Sequence, residues 1–188
     1  SLPQVKRSSL ADTYAQVLQD LQKAEQLLPN DTNRIRATKK TARALLARFY
    51  LYQKNWSEAI KYASYIIDDN ANYSLVNPYR SFYANNTSNT KESVFELVYD
   101  INNTSGQTSQ WLSGNNGGTA WIRPSQGIYD LLVDPTIGGD RAALVSKTTS
   151  STDPNILIGN LYYRTDRTDP AFLIRTAELY LILSLIHI

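Results

Sequence analysis

Residues 34–67 read RIRATKKTARALLARFYLYQKNWSEAIKYASYII. Two apolar runs flank a polar break at Gln53–Asn55. The first run is expected to be a helix from about Ile35 to Tyr52. Ala42, Leu45, Leu46, Phe49 and Tyr52 share one face of it, and Ala44, Ala47 and Leu51 a second. A helix that is apolar on two faces is sandwiched between neighbours. In the second run Asn55 is placed to cap a helix, with Glu58 three residues on as capping-box partner. Trp56, Ala59, Ile60, Ala63, Ile66 and Ile67 form its stripe, so Trp56 is expected in the core.

Small residues at the crossing points carry further information. Ala59 falls twelve residues after Ala47, with Tyr50 between them. That is the small-residue spacing of a tetratricopeptide hairpin, in which two antiparallel helices pack tightly. Ala63 and Ile66 depart from the pattern, so the repeat is degenerate. Upstream, Leu10, Tyr14, Val17, Leu18, Leu21, Ala24 and Leu28 recur at helical spacing. Ser9 with Asp12 resembles a capping box at the start of that helix, and Pro29 helps to stop it.

Downstream of Asp69 the character changes. Residues 70–92 are rich in Asn, Ser, Thr and Tyr, and residues 93–99, SVFELVY, predict a short strand. Residues 101–123 are a long polar segment, and a structureless stretch of that length is usually functional or mobile. Pro124 can open a short helix to about Val133. Short strands are expected near Ala143–Ser146 and Asn160–Tyr163. The tail from Pro170 predicts a helix with Leu173, Ile174, Ala177, Leu181 and Leu185 on one face. Its last residues, LYLILSLIHI, are apolar nearly all round. They are expected to be covered by chain beyond residue 188, unless that end is not natural.

Composition removes several chemistries. The 188 residues carry net charge +2, no Cys and one His, His187. Cysteine chemistry is absent, a His-dependent triad has one doubtful candidate, and no metal site is expected. The densest basic group is Arg34, Arg36, Lys39, Lys40, Arg43 and Arg48, which a solvated helix face explains better than a nucleic-acid or phosphate site. DPTIGGD at 134–140 has too few oxygen ligands for a calcium loop, so Asp140–Arg141 is expected to be a structural turn. No apolar window is long enough for a membrane span.

Several blocks in order resemble the SusD/RagB family. They are YAQVLQDLQKAEQLLP at 14–29, the hairpin at 34–67, YSLV at 73–76, ESVFELVY at 92–99 and FLIRTAELYLIL at 172–183. The resemblance implies a mainly α fold, with tetratricopeptide-like helical hairpins, long irregular loops and a few short strands. On that pattern residues 9–68 are the scaffold helices, 69–169 a loop-rich ligand-binding insertion and 170–188 a returning helix of one domain. It implies a surface lipoprotein of the outer membrane that binds glycan or another nutrient and delivers it to a SusC-like TonB-dependent transporter. It implies neither enzymatic activity nor a cofactor. Family members are longer and begin at a lipid-bearing Cys, so a partial chain is expected, with Ser184–Leu185–Ile186 departing from the family's usual Ala-Glu-Ala.

A glycan site needs aromatic faces for sugar rings and planar polar groups for hydroxyls, placed sparingly in a cleft. Trp111 and Trp121 sit in the long polar segment with Gln110, Asn115, Asn116 and Arg123, among Gly114, Gly117 and Gly118. The alternative is that both tryptophans pin a loop to the scaffold. Tyr83, with Tyr79 and Phe82, forms a second cluster that is either packing or ligand contact. The rival function is a tetratricopeptide adaptor that binds a peptide in its helical groove through residues such as Lys39, Arg43 and Lys61. A hydrolase would need two facing carboxylates, which a sequence does not reveal.

Overall fold

The computed structural model describes residues 7–82, 88–112, 117–149, 155–162 and 164–186, without the side chains of Arg80 and Phe82. In chain order the elements are α1 (Leu10–Leu27), α2 (Lys39–Tyr52), α3 (Trp56–Ile67), a 3-10 turn at Tyr79–Phe82, β1 (Ser93–Leu97), α4 (Gly106–Trp111), α5 (Gln126–Val133), a 3-10 turn at Gly139–Leu144, β2 (Val145–Thr148), β3 (Ile156–Gly159), β4 (Ala171–Arg175) and α6 (Thr176–Ile186). The fold is mainly α, with two two-stranded sheets, β1–β4 and β2–β3. The chain divides into two compact units. One comprises residues 1–74, 91–95 and 174–188, and the other 75–90 and 96–173.

The first unit is the helical scaffold. Ser9 caps α1, its Oγ accepting from the Asp12 N–H. Asn55 caps α3 by accepting from the Glu58 N–H, while the Glu58 carboxylate accepts from Lys61 Nζ at 2.9 Å. The helix expected from Ile35 starts four residues later. Thr38 and Thr41 form a reciprocal capping box there, which satisfies the free N–H groups of the first turn. α2 packs on α1 and α3, and α3 packs on α6. Leu46, Ala47, Ala59, Ala63, Ile66, Leu179 and Ile182 are fully or almost fully buried between them. Ala47 and Ala59 carry no side chain beyond Cβ, so the helices approach closely. The rings of Tyr50 and Tyr62 then stack across the hairpin at 5.6 Å.

Three expectations about this unit are corrected. Trp56 is 46% exposed rather than core, because it is the first residue of α3 and only the later stripe faces α2. The tail is not helical from Pro170. Ala171–Arg175 is strand β4, and the helix begins at Thr176. Starting the helical count there turns Leu179 and Ile182 inward and leaves Leu181 and Leu185 exposed. Four of the six basic residues are not on a solvated face, while Arg36 is exposed. Arg43 Nε donates to Glu25 Oε1 at 2.8 Å, Arg48 pairs with both oxygens of Glu178, and Lys40 Nζ meets Asp69 Oδ2 at 2.9 Å. Arg34 is buried; it donates to the carbonyls of Ser93, Thr32 and Asn72 and lies over the Tyr73 ring.

The second unit is built of short pieces. α5 packs on the 139–144 turn and on β2, and the 79–82 turn packs on the 139–144 turn. β2 and β3 are antiparallel, with Val145 opposite Gly159 and Thr148 opposite Ile156. The second of these strands lies four residues before its expected position at 160–163. The apolar ILIG run, rather than the NLYY that follows it, supplies the pairing residues. The long polar segment is not structureless, since it contains α4.

Candidate functional site

The 101–123 segment is anchored from below. Ser105 caps α4 and is fully buried, and its N–H donates to the Arg167 carbonyl at 2.8 Å. Thr108, also fully buried, donates to Asp169 Oδ2 at 3.4 Å. The same carboxylate accepts the Arg164 N–H at 2.9 Å and pairs with the Arg164 side chain. Asp169 is 3% exposed, and a buried carboxylate of this kind is tolerated because its lone pairs are met. Neither Thr108 nor Asp169 stood out in the sequence.

The loop after α4 returns along it. Thr119 N–H donates to the Ser109 carbonyl, Ala120 N–H to Leu112 and Ile122 N–H to Gln110, at 2.8, 2.9 and 3.1 Å. Gly118 presses so close to Leu112 that a Cβ there would lie 2.2 Å from the Leu112 carbonyl oxygen. Its smallness serves this internal contact. Ala120 is 6% exposed and has φ 48°, a left-handed conformation that a non-glycine residue adopts at a cost.

The two tryptophans are in opposite situations. Trp111 is half-buried, 6.0 Å from the Tyr162 ring in a tilted pair. It also covers Gly159, where a Cβ would come within 2.9 Å of the indole. Its surroundings are those of a pin between α4 and the β2–β3 hairpin. Trp121 is 80% exposed and follows the strained Ala120 on the bonded loop. Arg123 Nε donates to the Ala120 carbonyl at 2.8 Å, which buttresses the same turn. Asn115, Asn116 and Tyr83 lie outside the described residues.

An open cleft of about 540 Å³ lies elsewhere in the second unit. Asn77, Tyr79, Ile137, Asp140 and Arg141 line it. The Arg141 guanidinium sits over the Tyr79 ring, 5.0 Å from its centroid. Thr136, which also lines the cleft, is held by Asp134, whose Oδ1 accepts both its N–H and its hydroxyl at 2.7 and 2.6 Å. Those bonds hold the Asp134 carboxyl below the usual carboxylate range. Sequence reading treated Asp140–Arg141 as a turn only.

The buried carboxylates have structural partners. Glu92 lies 3.6 Å from Arg175, Glu96 accepts the Asn89 N–H, and Asp169 is held as described. Among the described residues no group of His, Asp and Glu is arranged to hold a metal ion. No described helix is long and apolar enough to cross a membrane.

A family model described as SusD-like, starch-binding and associating with the outer membrane matches residues 2–51. Among solved structures, a SusD superfamily protein from Bacteroides vulgatus superposes with TM-score 0.78 at 25% identity over 94% of this chain and 41% of its own. A SusD superfamily protein from Bacteroides thetaiotaomicron gives TM-score 0.80 at 23% identity over 99% of this chain and 45% of its own. The surface glycan-binding protein A of Bacteroides fluxus gives TM-score 0.73 at 17% identity, covering 97% and 48%. The chain therefore spans less than half the length of these three structures. None of the curated proteins compared with it matches.

Proposed function

We propose, for a chain that belongs to the SusD/RagB family, that it is part of a glycan-binding protein of the outer membrane. The protein captures oligosaccharide at the cell surface, where a lipid anchor holds it, and passes it to a SusC-like TonB-dependent transporter. It binds without covalent chemistry. The family model that matches residues 2–51 carries a starch-binding description, which supports a carbohydrate as cargo.

The observation that carries the reading is the presentation of Trp121. Water contact with a whole indole is unfavourable, and a large exposed aromatic on a mobile loop would simply fold back. Here the backbone of residues 119–122 is hydrogen-bonded to α4 and includes a left-handed alanine, so the indole is displayed on a fixed support. A preordered flat apolar face meets the apolar face of a sugar ring at little entropic cost. Arg123, two residues on, and Asn115 and Asn116 in the same segment are the polar groups of the proposed surface, with Tyr83 as a further aromatic contact.

Calorimetric titration of oligosaccharides into the intact protein tests this. Trp121→Ala is expected to weaken binding by about tenfold or more, near 1.4 kcal/mol, with thermal stability unchanged. Trp111→Ala is expected to lower stability by about 2 kcal/mol or more, since it opens a cavity at Gly159 and Tyr162. Full affinity in Trp121→Ala would remove the proposed surface. The adaptor reading has less support, because Arg43 and Lys61 are already engaged by Glu25 and Glu58.

A further inference from the structure

We infer that the cleft between Tyr79 and Arg141 is a subsite for the carboxylate of an acidic sugar, so that the cargo is a uronate-containing saccharide. The inference rests on the glycan reading and narrows it.

Three observations carry it. Among the described residues Arg7, Arg36 and Arg141 are exposed arginines without a hydrogen bond or ion pair, and of these Arg141 lines the cleft, whereas the rest with described side chains are engaged. Arg34 is bonded to carbonyls, and Arg43, Arg48, Arg164 and Arg175 are matched to carboxylates. Arg123 and Arg167 donate to the carbonyls of Ala120 and Gly117. Among the described residues the Arg141 guanidinium makes no hydrogen bond and no ion pair. Its one side-chain contact of note is the Tyr79 ring.

That contact leaves its chemistry available. A guanidinium lying over an aromatic face keeps its N–H groups at the edge of the plane, free to donate in a fork. A carboxylate is the acceptor that matches such a fork with two parallel bonds. The contact with the Tyr79 ring restricts the side chain before a ligand arrives, so less rotamer freedom is lost on binding.

The remainder of the cleft has the chemistry of a sugar site. Asn77 offers a planar amide, Asp140 offers acceptors for hydroxyls, and Ile137, 58% exposed, offers an apolar wall. About 540 Å³ is room for a saccharide unit and its neighbours. Asp140 does not neutralise the arginine by direct pairing, since no ion pair joins the two.

The test is calorimetry on the intact protein at low salt, with trisaccharides of galacturonate, glucuronate and mannuronate. Each is titrated beside its carboxyl-reduced, neutral counterpart. The wild type is expected to prefer one acidic form over its reduced form by about tenfold. Arg141→Gln is expected to abolish that preference while retaining the neutral affinity, and Arg141→Lys to keep part of it. The preference is expected to shrink as salt rises. Circular dichroism melts of each variant check that the fold is unchanged. Equal affinity for acidic and neutral forms, or a preference that survives Arg141→Gln, overturns the acidic subsite and leaves glycan binding standing. No heat with any acidic or neutral saccharide overturns both.

Discussion

Tyr62 joins the scaffold's packing to its chemistry. It is 7% exposed, stacks on Tyr50 and donates its hydroxyl to Glu25 Oε2 at 3.3 Å. Burial, with the Glu25 carboxylate adding to it, pushes its pKa from 10.0 up to about 12. The folded state therefore favours the protonated phenol. Its contribution to stability is complete below pH 10 and is lost as pH rises from 10 towards 12, amounting to roughly 2 kcal/mol. Urea unfolding at stepped pH is expected to show this decline, and Tyr62→Phe is expected to flatten it. An unchanged slope in that variant would assign the alkaline loss to another group. The sequence carries 13 tyrosines against 4 phenylalanines, and the pair of tryptophans in its long polar segment was visible too. The sequence did not say which tryptophan packs against neighbours and which is displayed. Trp111 and Trp121 have similar neighbours along the chain, and only the return of residues 119–122 onto α4 separates them. Arg34 makes the same point for charge. It sits in a basic run, yet it meets the carbonyl of nearby Thr32 and two, of Asn72 and Ser93, brought from distant positions.

At the scale of elements, α6 is where local pattern and tertiary context disagreed. Its residues are apolar nearly all round, so periodicity could not choose a face. The phase is set by where the helix begins. Thr176 donates its N–H to the Glu92 carbonyl at 2.7 Å, which ends β4 and starts the helix at that residue. Leu179 then has no exposure and Leu181 has 64%. In this chain Leu179→Ala is expected to cost about 2–5 kcal/mol, and Leu181→Ala to stay within about 0.5 kcal/mol. Equilibrium urea denaturation separates them. Equal costs would mean that the face assignment is wrong. The three scaffold helices were legible because caps, spacing and small residues agreed: Ser9, Asn55, Ala47 and Ala59 each act as their positions suggested. The start of α2 was not legible, because Thr38–Thr41 is a capping box without the usual Glu. α4 was hidden for a related reason. Its six residues hold through Asp169, about sixty positions away, rather than through any pattern of their own.

Over the whole molecule, the two units have different physical bases, and this yields a prediction about their dynamics. The scaffold helices share one core in which Leu46, Ala47, Ala59, Ala63, Ile66 and Leu179 are completely inaccessible. The second unit is assembled from a six-residue and an eight-residue helix, 3-10 turns and a two-stranded hairpin. Helices this short are marginal alone, and so is an isolated hairpin. Its described buried apolar side chains are few, chiefly Leu112, Ala120, Val145 and Ile158. Local opening should therefore be easier there. In hydrogen exchange followed by mass spectrometry, amides of α2 and α3 are expected to be the slowest in the chain. Those of 106–112, 117–123 and 135–148 are expected to exchange orders of magnitude faster, since every 1.4 kcal/mol of opening free energy is about a factor of ten. A saturating oligosaccharide should then slow exchange at 117–123, where the indole is displayed, and leave α2 and α3 unchanged. If the ligand is acidic and Arg141 holds it, protection should extend to 135–141 and vanish from that stretch alone in Arg141→Gln. Uniform protection of both units without ligand would contradict this difference in stability. Protection confined to the α1–α2 surface on adding ligand would move the binding site to the scaffold.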